Sequence, residues 1–401
     1  MKILQLCFRM PYPLKDGGAI AMYNMTKAFW ELGCNTTLLV PVTPKHNVSI
    51  EDLPDDFKKL AQINTVKVNS EITFASALKN LLFSKMPYYI SRYENENFRR
   101  KLIRILKEED FDIVHIESLK EAIYVEDIRK HSKAKIVMRS HNIEYKIWER
   151  MASSTHFGLK KIYLNILVKR LKKYEIGTLN TFDAIVPITK VDGDFFIKAG
   201  CTKPVFPTAS GIEMQRFEDR KENPQQISLF HIGALDWMPN MEAVNWFIND
   251  IWPKINIKFP DLKFYIAGRN MPEKIKKLNK KNIEIVGEVN SAIDFMNSKS
   301  VMIVPLLSGS GMRIKIVEGM ALGKVIISTS IGAEGIEYTD EENILIADSK
   351  EEFVNRIEQL INDNAFAKKI SNNAVELVKN KYDNLTIVKK LLNNYKKVIA
   401  K

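Results

Sequence analysis

Short apolar runs rich in β-branched residues alternate along the chain with longer stretches whose apolar side chains recur at helical spacing. In the first half Lys2–Phe8, Asn35–Pro41, Phe111–Glu117, Lys135–Ser140 and Phe182–Ile188 read as strands; a helix from about Ala19 to Leu32, closed by Gly33, separates the first two. Ser228–Gly233, Leu262–Ala267, Ile283–Val286, Val301–Pro305, Val325–Ser328 and Asn343–Ala347 repeat the arrangement in the second half. These strands are apolar nearly throughout, so both faces should be covered, as in a parallel sheet between helical layers. Lys203–Gln226 carries three prolines and a cluster of charges without a sustained period, which places a linker at 206–226. The expected fold is α/β, with two Rossmann-like, doubly wound domains, 1–205 and 227–383, facing each other across a cleft. Ligands would lie at the carboxyl ends of the strands. Leu385, Ile387, Val388, Leu391, Leu392, Tyr395, Val398 and Ile399 form one helical stripe. So short a terminal helix holds only when docked, so 384–401 should pack back on the first domain.

At 401 residues the chain exceeds what one core usually supports, in agreement with two domains. A hydrophobic share of 45% with 27% charged residues is that of a soluble globular protein, and no apolar run approaches the roughly 18 residues of a membrane span. The opening MKILQLCF is interrupted by Arg9, Pro11 and Pro13, and reads as a core strand instead of a signal segment. Cys7, Cys34 and Cys201 are too scattered for a disulfide framework or a metal cluster; buried thiols in a cytoplasmic protein are expected. The net charge of +12 calls for anionic partners. Basic residues concentrate in 159–174 and in Arg99–Lys107. Either these are core-facing helices with solvated lysines, or they form a surface that leans on anionic lipid at the inner face of a membrane. No nucleic-acid motif accompanies them, so nucleic acid is not an expected partner.

The chemistry concentrates in VMIVPLLSGSGMRIKIVEGMALGKVIISTSIGAEG, residues 301–335. A strand runs into Ser308-Gly309-Ser310-Gly311, then Met312 and a helix with Arg313 and Lys315 in its first turn and Glu318 further on. Glycines let backbone N–H groups approach an anion, and a helix N-terminus favours negative charge. Cations in that first turn oppose the helix dipole, and make sense if an anion belongs beside them. An ordinary strand–loop–helix with solvated charges would show the same pattern. Asp192-Gly193-Asp194 superficially matches a metal motif, but lies where a helix should begin, and capping accounts for its aspartates.

Five segments in this order resemble the retaining glycosyltransferases of family 4, which have the GT-B fold and use nucleotide-diphosphate sugars. They are Asp16-Gly17-Gly18, Ser140-His141-Asn142-Ile143-Glu144, His231-Ile232-Gly233-Ala234-Leu235-Asp236-Trp237, Ile266-Ala267-Gly268-Arg269-Asn270, and GSGMRIKIVEGMALGK. The resemblance implies a metal-independent hexosyltransferase without a cofactor, whose acceptor is a hydroxyl of a glycan or lipid-linked glycan. It implies that Glu318 accepts ribose hydroxyls, that His141 contacts the donor sugar, and that Gly17, Gly18, Gly233, Arg269, Gly309, Ser310, Gly311 and Met312 line the donor. Two departures stand out. Ser310 occupies the place of the family's first glutamate, and Ala234-Leu235-Asp236-Trp237 lacks the usual cations, which leaves Arg313 and Lys315 to hold the diphosphate. A nucleotide-sugar epimerase of the same fold, or a non-catalytic nucleotide-sugar-binding scaffold, are the alternatives.

Overall fold

A computed structural model describes residues 1–14, 17–156, 158–218, 227–309 and 311–400. Two units emerge: Met1–Gly211 together with Asn384–Lys401, and Ile212–Asp383. In the first unit β1 (Lys2–Leu6), β2 (Asn35–Val42), β3 (Gln62–Lys67), β4 (Ile113–Ile116), β5 (Lys135–Ser140) and β6 (Ala184–Pro187) pair in the order β3-β2-β1-β4-β5-β6. All pairings are parallel. Successive side chains on a strand point to opposite faces. Accordingly Ile3, Ile113, Val137 and Val186 pack with Met25 and Phe29 of the Gly17–Glu31 helix. Leu4, Leu6, Val114, Ile116, Ile136 and Met138 fill the opposite face with Leu102, Ile128 and Leu171. Edge strand β3 (QINTVK) has no counterpart in the sequence reading, because its polar residues hide it among loops.

The C-terminal helix, Asn384–Ile399, completes the first of these cores with Val388, Leu391, Leu392, Tyr395 and Val398. Its hydroxyl-bearing Tyr395 is buried against the His115 ring, Oη to Nδ1 2.7 Å. At its start Asn384 Nδ2 donates to the Asn24 carbonyl (2.6 Å), and Asn24 Nδ2 donates to the Gly211 carbonyl (2.8 Å). Of the expected linker, the first residues belong to unit one. The Phe206 N–H donates to the Ile185 carbonyl (2.9 Å) and the Thr208 N–H to that of Pro187 (2.8 Å), extending the edge of β6. The second unit begins with Ile212, whose N–H donates to the Tyr382 carbonyl (2.9 Å). Residues 219–226 lie outside the described ones.

The second unit repeats the plan. β7 (Ser228–Ile232), β8 (Lys263–Ala267), β9 (Ile283–Gly287), β10 (Val301–Val304), β11 (Val325–Ser328) and β12 (Leu345–Ile346) pair in the order β12-β11-β10-β7-β8-β9. In each sheet the order reverses beside the first strand, between β1 and β4 and between β7 and β10. Connections leave those strands in opposite directions and open a crevice at their carboxyl ends. The helix Ile314–Ala321 sits close to its sheet because Gly319 faces it: a Cβ there would stand 3.0 Å from Ile326 Cδ1 and 3.2 Å from Met302 Sδ. All three cysteines are buried. Among the described residues no helix is long and apolar enough to cross a membrane.

Candidate functional site

At the β7/β10 reversal, the loop after β7 (Gly233 to Trp237) and the loop after β10 (to Gly311) come together. The Gly233 N–H donates to the Ala267 carbonyl (3.1 Å), and a Cβ on Gly268 would overlap the Gly233 carbonyl, so the loops after β7 and β8 cross at a glycine contact. The Leu235 N–H donates to the Arg269 carbonyl (3.0 Å), which seats Arg269 beside the same loop. Gly309 (φ 134°) and Gly311 (φ 80°) take backbone conformations that other residues resist. Met312 follows; Ser310 lies outside the described residues.

Lys315 Nζ donates to the Ile232 carbonyl (2.7 Å) and lies 3.4 Å from Asn240 Oδ1, while Asn240 Nδ2 donates to the Ala234 carbonyl (2.8 Å). A Cβ on Gly233 would stand 2.5 Å from Lys315 Nζ, so the glycine leaves room for the ammonium. Arg313 precedes the helix as its N-cap residue. One of its Nη groups donates to the Gly311 carbonyl, a Cβ on Gly309 would collide with the guanidinium, and the Trp237 ring lies 5.9 Å from Cζ. Arg313 is only 6% exposed and Lys315 is half-buried. Both cations, Arg313 at the N-cap and Lys315 in the first turn, are therefore drawn into the fold and are not the solvated charges of an ordinary strand–loop–helix.

Burial, and next the Arg313 charge, push the Lys315 ammonium down to about 7 against the pull of Glu318. Burial also raises the Glu318 carboxyl, opposed by Arg216 and Lys315. Burial and Lys315 lower His231 to about 3; its Nδ1 meets the Ile303 carbonyl at 2.9 Å, a strand-end role. Arg313 and Lys315 thus crowd two cations into a buried place, an arrangement that an anionic ligand would relieve.

The β1/β4 reversal carries a second cluster. His141, after β5, places Nε2 2.8 Å from Glu117 Oε2 at the end of β4. Glu117 is buried; Gln5 Nε2 donates to its Oε1 (2.7 Å), and His115 Nε2 lies 3.1 Å from the same oxygen. Burial alone would raise its carboxyl, but His115 and His141 outweigh that and hold it well below the carboxylate range. Phe8 stands edge-on to His141, ring centroids 5.9 Å apart. Lys120 Nζ lies 4.7 Å from the Phe8 ring, 5.3 Å from Tyr89 and 5.0 Å from Tyr93. Gly17 and Gly18 open the helix that follows β1; Asp16 is not among the described residues. Glu144 starts its helix, and Tyr89 Oη donates to its Oε2 (2.8 Å). Asp192 is buried in the first turn of Lys190–Lys198, where its N–H donates to Thr189 Oγ1 (3.0 Å), and Asp194 pairs with Lys190 (3.2 Å).

Residues 226–363 match the family model described as Glycosyl transferases group 1. The second unit thus resembles a group 1 glycosyltransferase domain. The chain is 24% identical to an uncharacterized 44.6 kDa protein in a cps region of Klebsiella pneumoniae, with 95% of this chain and 96% of that one covered. It is likewise 24% identical to an uncharacterized glycosyltransferase of Methanocaldococcus jannaschii, over 69% of this chain and 87% of the relative. Among solved structures, HepE of Anabaena in complex with UDP aligns with a TM-score of 0.68 at 14% identity, covering 99% of this chain and 100% of HepE. Sucrose-phosphate synthase of Thermosynechococcus elongatus aligns with 0.70 at 13% identity, covering 100% and 99%. These likenesses make the fold GT-B.

Of the residues singled out in the sequence, the structure gathers Arg313, Lys315 and the glycines 233, 309 and 311 at the β7/β10 reversal, and sets His141 at the β1/β4 reversal. Sequence reasoning passed over Asn240, Trp237 and Arg216 in the second unit, and Glu117 and Lys120 in the first. Glu117 was open to detection: a carboxylate directly after an apolar strand end is rare unless something at the sheet's carboxyl edge needs it. Asn240 and Arg216 carry no such mark.

Proposed function

We propose that this glycosyltransferase is a retaining hexosyltransferase of family 4, taking a nucleotide-diphosphate sugar as donor and a hydroxyl of a glycan or lipid-linked glycan as acceptor, without a metal. The observation that carries the donor assignment is the pair Arg313 and Lys315, set at a helix N-terminus beside Gly233, Gly309 and Gly311. An arginine fork and a lysine point charge suit a diphosphate. HepE, whose fold is similar, has been solved with UDP-glucose. Glu318 would accept the ribose hydroxyls, with Arg269 and Met312 bordering the nucleotide.

In the reaction the bond from the sugar's anomeric carbon to the β-phosphate oxygen breaks, and a bond to the acceptor oxygen forms on the same face. The acceptor's proton passes to the departing diphosphate, so no side chain need act as nucleophile. Arg313, Lys315 and the helix dipole stabilise the charge that grows on the leaving group. Such cations can do what a divalent ion does elsewhere. His141 would contact the donor sugar. With its Nε2–H donated to Glu117, its Nδ1 lone pair remains free to accept a sugar hydroxyl. Phe8, Tyr89 and Tyr93 around Lys120 offer aromatic faces and a cation to the acceptor. Gly17 and Gly18, at the start of their helix, would line the donor. The reaction belongs in the cytoplasm, where nucleotide sugars are made.

The test incubates the purified chain with a panel of nucleotide sugars in excess EDTA. Melting shifts identify the donor, and release of nucleoside diphosphate reports turnover. A donor present at about a hundred times its dissociation constant adds about 2.7 kcal/mol. Donor hydrolysis or transfer with an unchanged anomeric configuration supports the reading. Binding without any turnover favours a scaffold, epimerised donor favours an epimerase, and strict dependence on Mn²⁺ or Mg²⁺ rejects metal independence.

A further inference from the structure

The helix Phe74–Phe83 has its apolar side turned outward. Phe74 is 85% exposed, Phe83 82%, Leu82 65% and Leu78 41%, and none of the helix's residues is buried. At about 100° per residue these side chains share one side of the helix with Ala75 and Lys79. Ser76, Ala77, Asn80 and Leu81, all half-buried, occupy the other. That inner side is held by polar contacts. Ser76 Oγ meets Tyr88 Oη at 2.6 Å, and Asn80 Nδ2 donates to the Met86 carbonyl (3.1 Å) and to Ser91 Oγ (3.0 Å). From the helix Leu159–Thr178, Arg170 donates to the carbonyls of Asn80 (3.3 Å) and Leu81 (2.9 Å). One, two and three turns before Arg170 on the same side of that helix, Ile166, Ile162 and Leu159 are also exposed.

An amphipathic helix docked by its polar side is stable only if something other than water receives its apolar side. The surrounding charge indicates what. Lys79, Lys85, Lys160, Lys169, Lys172 and Lys173 are exposed, Glu71 is the one carboxylate between residues 69 and 91, and Glu175, the one acid of the 159–178 helix, is buried. We propose that this surface docks on an anionic membrane leaflet. Phe74, Leu78, Leu82 and Phe83 enter the acyl boundary while the lysines reach the headgroup phosphates. A second copy of the chain would bring lysine against lysine, and like charges opposed across an interface are unfavourable. The inference is independent of the transfer chemistry, since it uses none of the pocket residues.

The test is co-sedimentation of the full chain with phosphatidylcholine vesicles, with and without phosphatidylglycerol. Binding is expected with the anionic lipid and should weaken with added salt. The triple variant F74S/L82S/F83S should bind at least about tenfold more weakly. Its melting should not fall, because the replaced side chains face outward. The charge variant Lys169→Glu with Lys172→Glu and Lys173→Glu should lose about tenfold by a separate route. The proposal is overturned if anionic vesicles capture no protein at low salt, if neutral vesicles bind equally well, or if both variants bind as the native chain does. A dimer in sedimentation velocity that F74S/L82S/F83S dissolves would also overturn it, in favour of self-association. Donor turnover without vesicles should be unchanged in both variants, so failure here leaves the glycosyltransferase reading intact.

Discussion

Replacing Lys315 by methionine should make the empty protein more stable and the enzyme nearly inactive. In the donor-free pocket the ammonium is pushed down to about 7, chiefly by burial and then by Arg313. An unfolded lysine titrates near 10.4, so the folded state pays for that charge below neutrality. A shift of this size corresponds to about 5 kcal/mol in full, and roughly half of that once the partial exposure of the side chain is allowed for. Against it stands the loss of the bond to the Ile232 carbonyl, worth about 1 kcal/mol or slightly more. Lys315→Met should therefore gain about 1–2 kcal/mol at pH 6, a rise of a few degrees in melting temperature. The sign follows from proton uptake: between pH 7 and about 10 the unfolded chain binds more protons at this site than the folded one. The native protein thus recovers stability as pH rises, and the gap between the two should close by about pH 10. With the donor added, the native protein should shift upward and the variant hardly at all. Turnover should fall by about two to three orders of magnitude, or about 3–4 kcal/mol of transition-state stabilisation. A variant that melts below the native protein by a pH-independent margin, or that keeps its donor shift, refutes the reasoning.

Glu318→Ala should raise the donor KM about tenfold with a smaller change in kcat, since a ribose contact is made equally in ground and transition states; unchanged KM in steady-state assays would reject the ribose assignment. Burial raises the Glu121 carboxyl to about 8, so its ionisation opposes folding increasingly from about pH 5 to pH 8. Glu121→Gln should therefore stabilise by about 1–3 kcal/mol at pH 8 and by little at pH 4, as read by denaturant melts. Deleting residues after Asp383 uncovers Ile3, Phe29, Val137 and Val186 and leaves His115 without Tyr395. The truncated chain should lose the melting transition of its first unit, and unchanged melting with full activity would contradict the docking of the last helix.

Much of the fold was legible because its strands are apolar on both faces. Val301–Val304 and Val325–Ser328 admit little but buried parallel strands. Gln62–Lys67 escaped because an edge strand pairs on one side only, and its half-exposed residues need no apolar pattern. The clustering of glycines and cations at the β7/β10 reversal was legible by residue type. What sequence could not convey was their depth: only the close approach of Gly233 and Gly309 shows Arg313 and Lys315 enclosed. Asn240 matters through its distances to Lys315 and the Ala234 carbonyl, 75 and 6 residues away, and no local pattern encodes the first. The outward apolar side of Phe74–Phe83 was likewise invisible, since periodicity reveals a stripe but not the direction in which it points.

The first unit's two pieces are separated along the chain by residues 212–383, and this bears on how the protein is made. When Gly211 has left the ribosome, the sheet still lacks the helix that covers Ile3, Val137 and Val186. Residues 212–383 must be synthesised before that helix appears, a wait of roughly 10–35 s at about 5–20 residues per second. The second unit is complete only at Asp383, so the first waits with an open apolar face throughout its synthesis. The nascent N-terminal half is the part that would need a chaperone, and a ribosome stalled before Asn384 would release a chain whose nucleotide-type pocket is formed but whose first unit is not.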